Sequence, residues 1–260
     1  MFAGYTWTMV RPRLDAPIPD LHLAPALDGV KLLMGKDIGT RERMILLAID
    51  EIIKHGPSDF NARIVCERFG IKQSMVPYHF GSRDGLIVEA TIWAYRDWSR
   101  NGIDAIRQTT GDGEKRLRAY LKAEIDWATR MGPIALLVQY PMLSEPVRIQ
   151  LESAHGTEMR RRLEYHLAVL TDLVIDIRTG TTNPLDYNDS NFPGSDFAVK
   201  NANEFLAATS ISWASHGIQM WASGSHLSTQ SFWSLDLPKI AVKFTIKNHI
   251  DEIVAIAKGR

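Results

Sequence analysis

The sequence lacks the features that mark several common classes of protein. It contains a single cysteine, Cys66, which excludes an internal disulfide and a cysteine-based zinc site. It also has no Gly-x-Ser-x-Gly elbow, no phosphate-binding glycine loop and no His-Glu-x-x-His motif. These absences argue against the common enzyme classes, and we expect no metal ion, no cofactor and no catalytic residues.

Net charge and long apolar runs are absent as well. Basic and acidic residues number 30 each, so the chain as a whole is not a polycation. The balanced total says nothing about charged patches on parts of its surface. Residues 205–235 carry no charged side chain, but their many serine, threonine, glutamine and histidine residues would be costly in lipid. We interpret this stretch as a buried protein–protein surface and expect no membrane partner.

The first 25 residues contain four prolines and two aspartates, and they have no apolar run of signal-peptide length. With the single thiol, this predicts a cytoplasmic protein. Because the prolines forbid a continuous helix, residues 1–36 are predicted to form an arm.

Helical periodicity begins near Thr40, which is a plausible N-cap. Beyond it, apolar residues recur at three- and four-residue spacing almost to the end of the chain, and no strand alternation is longer than a few residues. The turn-forming residues 179–196 are predicted to be a long loop. The predicted fold class is therefore all-α, with a small N-terminal domain and a larger C-terminal one.

Residues 61–80 carry the most informative pattern. They predict a short helix capped by Asn61, a tight turn at Gly70 and a second helix from about Gln73 to Phe80. Apolar side chains on both helices would lock them at a steep angle. The exposed positions of the second helix then form a rigid probe that fits the major groove of DNA.

Across residues 40–95 the sequence resembles the DNA-binding domain of the TetR family of transcriptional regulators. Three stretches match the family pattern without gaps: 43–53 followed by Gly56, 65–71, and 78–86. The resemblance implies a three-helix helix-turn-helix domain over residues 37–86 and a helical ligand-binding and dimerisation domain over residues 87–260. It also implies a homodimer that binds a double-stranded DNA operator.

Pro77 departs from this pattern, because the family usually has a tyrosine there that contacts a phosphate. A proline cannot donate a hydrogen bond and fits a helix only in its first turn. The second helix therefore either starts late, near Ser74, or is distorted. The net charge of residues 36–86 is also small, with eight basic residues against seven acidic ones. Strong binding to phosphates therefore requires the acidic side chains to lie away from the DNA.

The candidate DNA contacts lie on and around the two short helices. Arg63 and Lys72 are placed to meet phosphates, whereas polar side chains of the second helix are suited to reading base edges. The candidate set is Thr40, Asn61, Arg63, Lys72, Gln73, Ser74, Met75, Tyr78 and His79. Arg11 and Arg13 leave open whether the arm touches DNA or only packs.

The last two predicted helices are apolar on more than one face, which indicates that each buries more than one face. The resemblance implies that these helices form a four-helix dimer interface. The first, predicted as one helix from Phe197 to Ser223, offers Phe205, Leu206, Ala208, Ile211, Ala214, Ile218 and Trp221. The second offers Ile240, Val242, Phe244, Ile246, Ile250, Ile253, Val254 and Ile256.

Candidate ligand contacts are polar, aromatic or sulfur-containing side chains set within apolar helices. They are Trp127, Met131, Tyr140, Met142, Tyr165, His166, Trp213 and His216. For any single one of them a structural role in the core is the simpler explanation. As a set they indicate a mostly apolar cavity for a small-molecule effector.

These observations predict a ligand-responsive DNA-binding regulator, a repressor released from a palindromic operator by a small and mostly apolar effector. The alternative is a helical enzyme or small-molecule binding protein in which the N-terminal hairpin is only scaffold.

Overall fold

The computed structural model describes residues 39–139, 144–183, 196–224 and 239–259, and within them the chain is helical throughout, as the sequence predicts. None of the helices in this part of the chain is long and apolar enough to cross a bilayer. In chain order the helices are α1 Thr40–His55, α2 Ala62–Phe69, α3 Met75–Phe80, α4 Arg83–Gln108, α5 Gly113–Met131, α6 Pro133–Gln139, α7 Glu145–Thr179, α8 Asp196–Lys200, α9 Ala202–Gly224 and α10 Lys239–Ala257.

Two local predictions are wrong. Gly39 rather than Thr40 occupies the N-cap position of α1, so Thr40 is the first helical residue. The stretch predicted as one helix from Phe197 to Ser223 forms α8 and α9, which a turn at Asn201 separates. The arm over residues 1–36 and most of the loop predicted over residues 179–196 lie outside the described residues.

The first three helices form the N-terminal end of the described structure, which we call the head. Helix α1 is its centre, because seven apolar side chains of this helix are almost completely buried. They are Met44, Ile45, Leu46, Leu47, Ala48, Ile49 and Ile52. Helices α2 and α3 pack around them through Val65, Cys66, Val76 and Phe80.

Helix α4 joins the head to the remaining helices, which we call the body. Its N-cap Ser82 accepts a hydrogen bond from the Gly85 amide at 3.0 Å. Helix α4 then packs against α1 and α3 of the head and against α5, α6 and α7 of the body. One hydrophobic core runs through both parts, and the boundary predicted at residue 86 falls inside α4.

The body is built around α4, α5, α7 and α9, and α10 packs against α9, α5 and α7. A second core lies between them, centred on the fully buried Leu117, Leu121 and Leu173. Helix α4 contributes residues to both cores, so a shift of α4 within the body would also move the end of α4 that packs in the head.

Candidate functional site

The turn between α2 and α3 depends on Gly70. Its backbone is left-handed, with φ 70° and ψ 30°, a conformation that a residue with a Cβ adopts only at a cost. A Cβ on Gly70 would meet no atom within 4 Å, so the backbone conformation and not lack of space requires glycine. The Ile71 amide closes the turn by donating to the Cys66 carbonyl at 3.0 Å.

Helix α3 starts late, which is one of the two outcomes that Pro77 allows. The helix begins at Met75, so Pro77 is its third residue and lies in the first turn. Backbone amides at that position have no partner within a helix, and the missing N–H of proline therefore costs nothing there. The Tyr78 amide then donates to the Ser74 carbonyl at 3.2 Å, and α3 continues for one further turn.

The outer surface of α3 and of the turn before it is polar. Lys72, Gln73 and Ser74 are exposed, and Tyr78 leaves 78 % of its surface open to solvent. Met75 is half-buried and packs against the core, whereas the partly buried His79 keeps one ring nitrogen, Nε2, without a hydrogen-bond partner. Of the six candidates on this segment, four therefore face outward.

The other three candidate DNA contacts are placed differently. Thr40 is half-buried at the start of α1. The Asn61 side chain caps α2 by accepting from the Arg63 amide at 3.0 Å. The exposed Arg63 guanidinium pairs with Glu67 at 2.6 Å, so a phosphate would compete with that carboxylate.

Two of the acidic residues in the head are turned inward. Asp50 is fully buried and Glu51 is almost so, both on α1. Asp50 pairs with Arg68 of α2 at 2.6 Å and with Lys54 at 2.7 Å. The inward placement keeps these two carboxylates off the surface that would meet a polyanion, and it ties α2 to α1.

Arginines that the sequence analysis did not single out also brace the head. Arg83 donates to the Phe60 carbonyl from two of its nitrogens, at 3.1 and 3.3 Å, and lies over the Phe60 ring. Arg41 lies over the Phe80 ring and pairs with Glu89 of α4 at 2.7 Å. The partners of both arginines lie far away in the sequence, so no local pattern could have indicated these contacts.

The candidate ligand contacts do not form one site. Trp127 and Met131 are fully buried, and Trp127 Nε1 donates to the buried Asp97 carboxylate at 2.9 Å. Tyr165 is half-buried and accepts from Arg107 at 3.1 Å, while Trp213 leaves 73 % of its surface exposed. Tyr140 and Met142 lie outside the described residues.

His166 and His216 are brought together in the body, around Trp98 of α4. The His166 ring stacks on Trp98 with centroids 4.7 Å apart and planes 7° from parallel, and His216 lies 6.0 Å from the same ring. Burial lowers the pKa of each histidine to about 4, so both rings are neutral at neutral pH.

Glu124 of α5 is the residue at this place that the sequence analysis missed. It is fully buried, and its Oε2 accepts from Trp98 Nε1 at 2.5 Å and from Gln219 Nε2 at 2.9 Å. Burial raises its pKa to about 8, against the lowering effect of those two hydrogen bonds. The sequence signal is a lone carboxylate on the stripe that Leu121 and Ala128 define on α5.

An open surface cleft of about 650 Å³ lies elsewhere, between the end of α4 and the residues that follow α7. Its lining is Ile106, Arg107, Thr109, Thr110, Gly111, Arg116, Thr182 and Asn183. It contains none of the candidate ligand residues, and it is wide open to solvent. The buried cluster around Trp98, by contrast, brings several hydrogen-bonding groups together in apolar surroundings.

No group of three histidine, cysteine, aspartate or glutamate side chains in the described ranges is arranged to hold a metal ion.

No family model matches the chain, and no curated protein matches it. A solved structure of a provisionally assigned transcriptional regulator from Pseudomonas aeruginosa PAO1 is similar to 84 % of this chain and 88 % of its own, with 18 % sequence identity and a TM-score of 0.46.

Proposed function

We propose that the chain is a DNA-binding transcriptional regulator that acts as a homodimer and responds to a small molecule. The observation that carries the proposal is the outward placement of Lys72, Gln73, Ser74 and Tyr78 on a short helix that a left-handed glycine turn holds against a buried core. A helix supported in this way can enter a major groove without rearranging its own backbone.

The chemistry of these four side chains suits DNA. Lys72 supplies a charge for a phosphate, and Gln73 can make a two-point hydrogen bond to an adenine edge. The Tyr78 hydroxyl can reach a phosphate or a base. Tyr78 stands directly after Pro77, so it can take over the phosphate contact that the family's tyrosine would make one residue earlier.

Dimerisation is supported by an exposed stripe on α9. Leu206, Ser210, Trp213 and Gly217 are exposed at spacings of four, three and four residues, which place them on one helix face. Phe244 of the neighbouring α10 is also 64 % exposed. Large apolar groups on adjacent helices, with small residues between them, suit the close approach of a second copy of the chain.

These exposed groups match only part of the interface that the sequence suggested, since Leu206 and Phe244 belong to both sets. Ala208, Ile211 and Ile218 are buried within the chain itself and cannot meet a partner. Trp213, grouped above with the ligand contacts, belongs with the stripe instead.

The proposed response runs through α4. Trp98 and Ser99 of α4 contact the buried cluster in the body, and the same helix packs against α1 and α3 in the head. An effector that fits one position of α4 better than another would change the spacing of the two heads in a dimer, and so its affinity for two successive major grooves. Release from an operator, rather than activation, is the outcome we expect.

The direct test is a mobility-shift assay with the full chain and duplexes taken from upstream of its own gene, in the presence of excess unrelated DNA. We expect a retarded complex that weakens as salt rises. A protein that binds no duplex at low salt, or binds every duplex equally, would leave the helical hairpin as scaffold and support a binding protein or enzyme instead.

A further inference from the structure

We propose that the open cleft at the end of α4 binds the carboxylate group of a small organic acid. The cleft lies between the last turn of α4, the start of α5 and the residues that follow α7, and its volume is about 650 Å³. That volume is in the range of small-molecule sites in proteins. None of its lining residues belongs to the head, so the inference does not depend on the proposed DNA binding.

The lining of the cleft is positive. Arg107 and Arg116 are among the eight residues that form it, and none of the eight is acidic. Asp112, which follows Gly111 in the chain, caps α5 by accepting from the Lys115 amide at 2.9 Å. The Lys115 ammonium group lies near the cleft, because its Nζ is 3.7 Å from the position of a Cβ on Gly111. The charges around the cleft therefore favour an anion.

Arg116 is the anchor of the proposed site, since it is an arginine with a largely buried side chain that lines an open cleft. Its side chain is only 7 % exposed. Both of its described contacts use Nη1, which donates to the Asn183 carbonyl at 2.9 Å and lies 3.5 Å from Asp176 Oδ2. Its Nε and Nη2 make no hydrogen bond to any residue that the structure describes. The guanidinium edge that carries these two nitrogens is therefore left for a ligand.

The chain itself shows how such an edge binds a carboxylate. In Arg96 the same two nitrogens, Nε and Nη2, donate to the two oxygens of Glu158 at 2.8 and 2.7 Å. The N–H groups of this edge are parallel, and their spacing matches that of two carboxylate oxygens. Arg116 has the same edge without such a partner, because Asp176 contacts the nitrogen on the other side.

Asp176 holds the anchor in position and does not compete for its unused edge. The carboxylate of Asp176 is almost completely buried, and it also accepts from the Asn183 amide, the Asn183 side chain and the Thr181 hydroxyl. These donors fix the carboxylate, and the carboxylate in turn orients the guanidinium group of Arg116. A ligand would therefore meet an arginine that is already ordered, which lowers the entropic cost of binding.

The remaining lining suits a ligand with an apolar part. Ile106 is almost completely buried within the chain and borders the cleft. The three threonines of the lining, Thr109, Thr110 and Thr182, each carry a methyl group beside the hydroxyl. A short apolar body attached to the carboxylate would bury more apolar surface here than a bare phosphate or sulfate ion could. The ligand class is therefore an organic carboxylate and not an inorganic oxyanion.

The experiment is a ligand-detected NMR titration of the full chain in Tris buffer at pH 7, with sodium benzoate, phenylacetate and hexanoate as probes. Benzamide is the neutral match for benzoate, and inorganic phosphate is the competitor. We expect at least one carboxylate to bind, and we expect neither benzamide nor phosphate to displace it at equal concentration. Failure of all three carboxylates to bind, or displacement by either of the other two compounds, would overturn the proposal.

Two substitutions at exposed positions locate the site. Arg107→Gln removes one charge of the lining and should weaken carboxylate binding about threefold, because an ion pair there is solvated. Thr110→Glu places an acid in the cleft and should abolish binding. Arg100→Gln and Thr157→Glu are the matched controls, since both residues are exposed and lie outside the lining. Wild-type affinity in Thr110→Glu would place the carboxylate elsewhere and refute the assignment.

A third variant tests the guanidinium edge of the anchor. Arg116→Lys keeps a positive charge beside Asp176 but cannot offer two parallel donors, so carboxylate affinity should fall roughly tenfold or more. Circular dichroism and thermal unfolding show whether the variant folds. A folded Arg116→Lys protein with wild-type affinity would refute the role of Arg116, and if the variant does not fold, Thr110→Glu decides the question.

The DNA assay separates this inference from the proposed function, because the two use different parts of the chain. Operator binding without carboxylate binding would remove only this inference. Carboxylate binding that Thr110→Glu abolishes, without binding to any duplex, would remove only the proposed regulator.

Discussion

Arg96 of α4 and Glu158 of α7 form a two-point ion pair, with Arg96 Nε and Nη2 donating to the two carboxylate oxygens at 2.8 and 2.7 Å. One residue away, the Tyr95 hydroxyl donates to the Met159 carbonyl at 2.9 Å. Nearer the head, Glu89 of α4 accepts contacts from Arg41 of α1 and from His155 of α7. Polar contacts thus hold α4 to α7 of the body and to α1 of the head.

The Arg96 pair predicts an acid-sensitive contribution to stability. Hydrogen bonding from Arg96 is the main cause that lowers the pKa of Glu158 to about 2, below the unfolded value near 4.5. The stabilisation is therefore present above pH 4.5 and lost as the pH falls toward 2. We expect Glu158→Gln to lower the free energy of unfolding by about 1 kcal/mol at pH 7, because the pair is partly solvated. Urea denaturation at several pH values checks this, and a difference that persists unchanged to pH 2 would contradict it.

The carboxyl of Glu124 predicts the opposite dependence on pH. Its pKa of about 8 lies above the unfolded value, so the folded state binds more protons and stability falls as the pH rises from about 4.5 to 8. Glu124→Gln should remove this slope and raise the melting temperature relative to wild type more at pH 8 than at pH 5. Thermal unfolding of both proteins at pH 5 and at pH 8 measures this difference in melting temperature. A variant that is less stable than wild type at pH 8 would show that the ionised carboxylate is not costly in the fold.

Lys72 is the candidate whose role is easiest to isolate. It is exposed and lies just before α3, so Lys72→Ala should leave the fold intact and weaken binding to all duplexes. In a dimer each protomer would lose one phosphate contact, so the slope of log K against log salt should become shallower by roughly two. Lys122→Ala, an exposed lysine of α5, is the matched control. Identical slopes for wild type and Lys72→Ala would mean that Lys72 does not touch the backbone of the DNA.

Trp213 offers a test of the dimer. A glutamate at this exposed position would place a charge in the centre of the proposed α9 stripe, and burial of that charge would oppose association. We expect Trp213→Glu to elute as a monomer in size-exclusion chromatography with light scattering. Ile149→Glu is the control, since Ile149 of α7 is 57 % exposed and lies outside the stripe. Association that is equally weak in both variants, or unchanged in Trp213→Glu, would argue against the stripe.

Local sequence signals were sufficient to predict the turn at Gly70 and the start of α2. Gly70 predicts the turn because only glycine takes a left-handed backbone without cost, and Asn61 predicts the start of α2 because its side chain caps the helix. The late start of α3 followed from proline chemistry alone as one of two outcomes. These features depend on residues close together in the chain, where short-range physics decides the structure.

The body was predicted less well, for a physical reason. Helix α9 has apolar residues on every face, so periodicity could not separate the buried Ile211 from the exposed Trp213. Glu124 was missed because its role depends on hydrogen bonds from Trp98 and Gln219. These residues lie 26 and 95 residues away in the sequence. Such convergence is a property of the tertiary packing: the local sequence shows the carboxylate on its apolar stripe but not the partners that it meets.

Hydroxyl-radical footprinting of the full chain on its own upstream DNA tests the central claim most directly. We predict two protected segments related by two-fold symmetry, whose centres are one helical turn or a multiple of it apart, with both lost together in Gln73→Ala on the preferred sequence. A single protected segment, protection without sequence preference, or a footprint that Gln73→Ala leaves unchanged would contradict a dimer that reads DNA through the helix after Gly70.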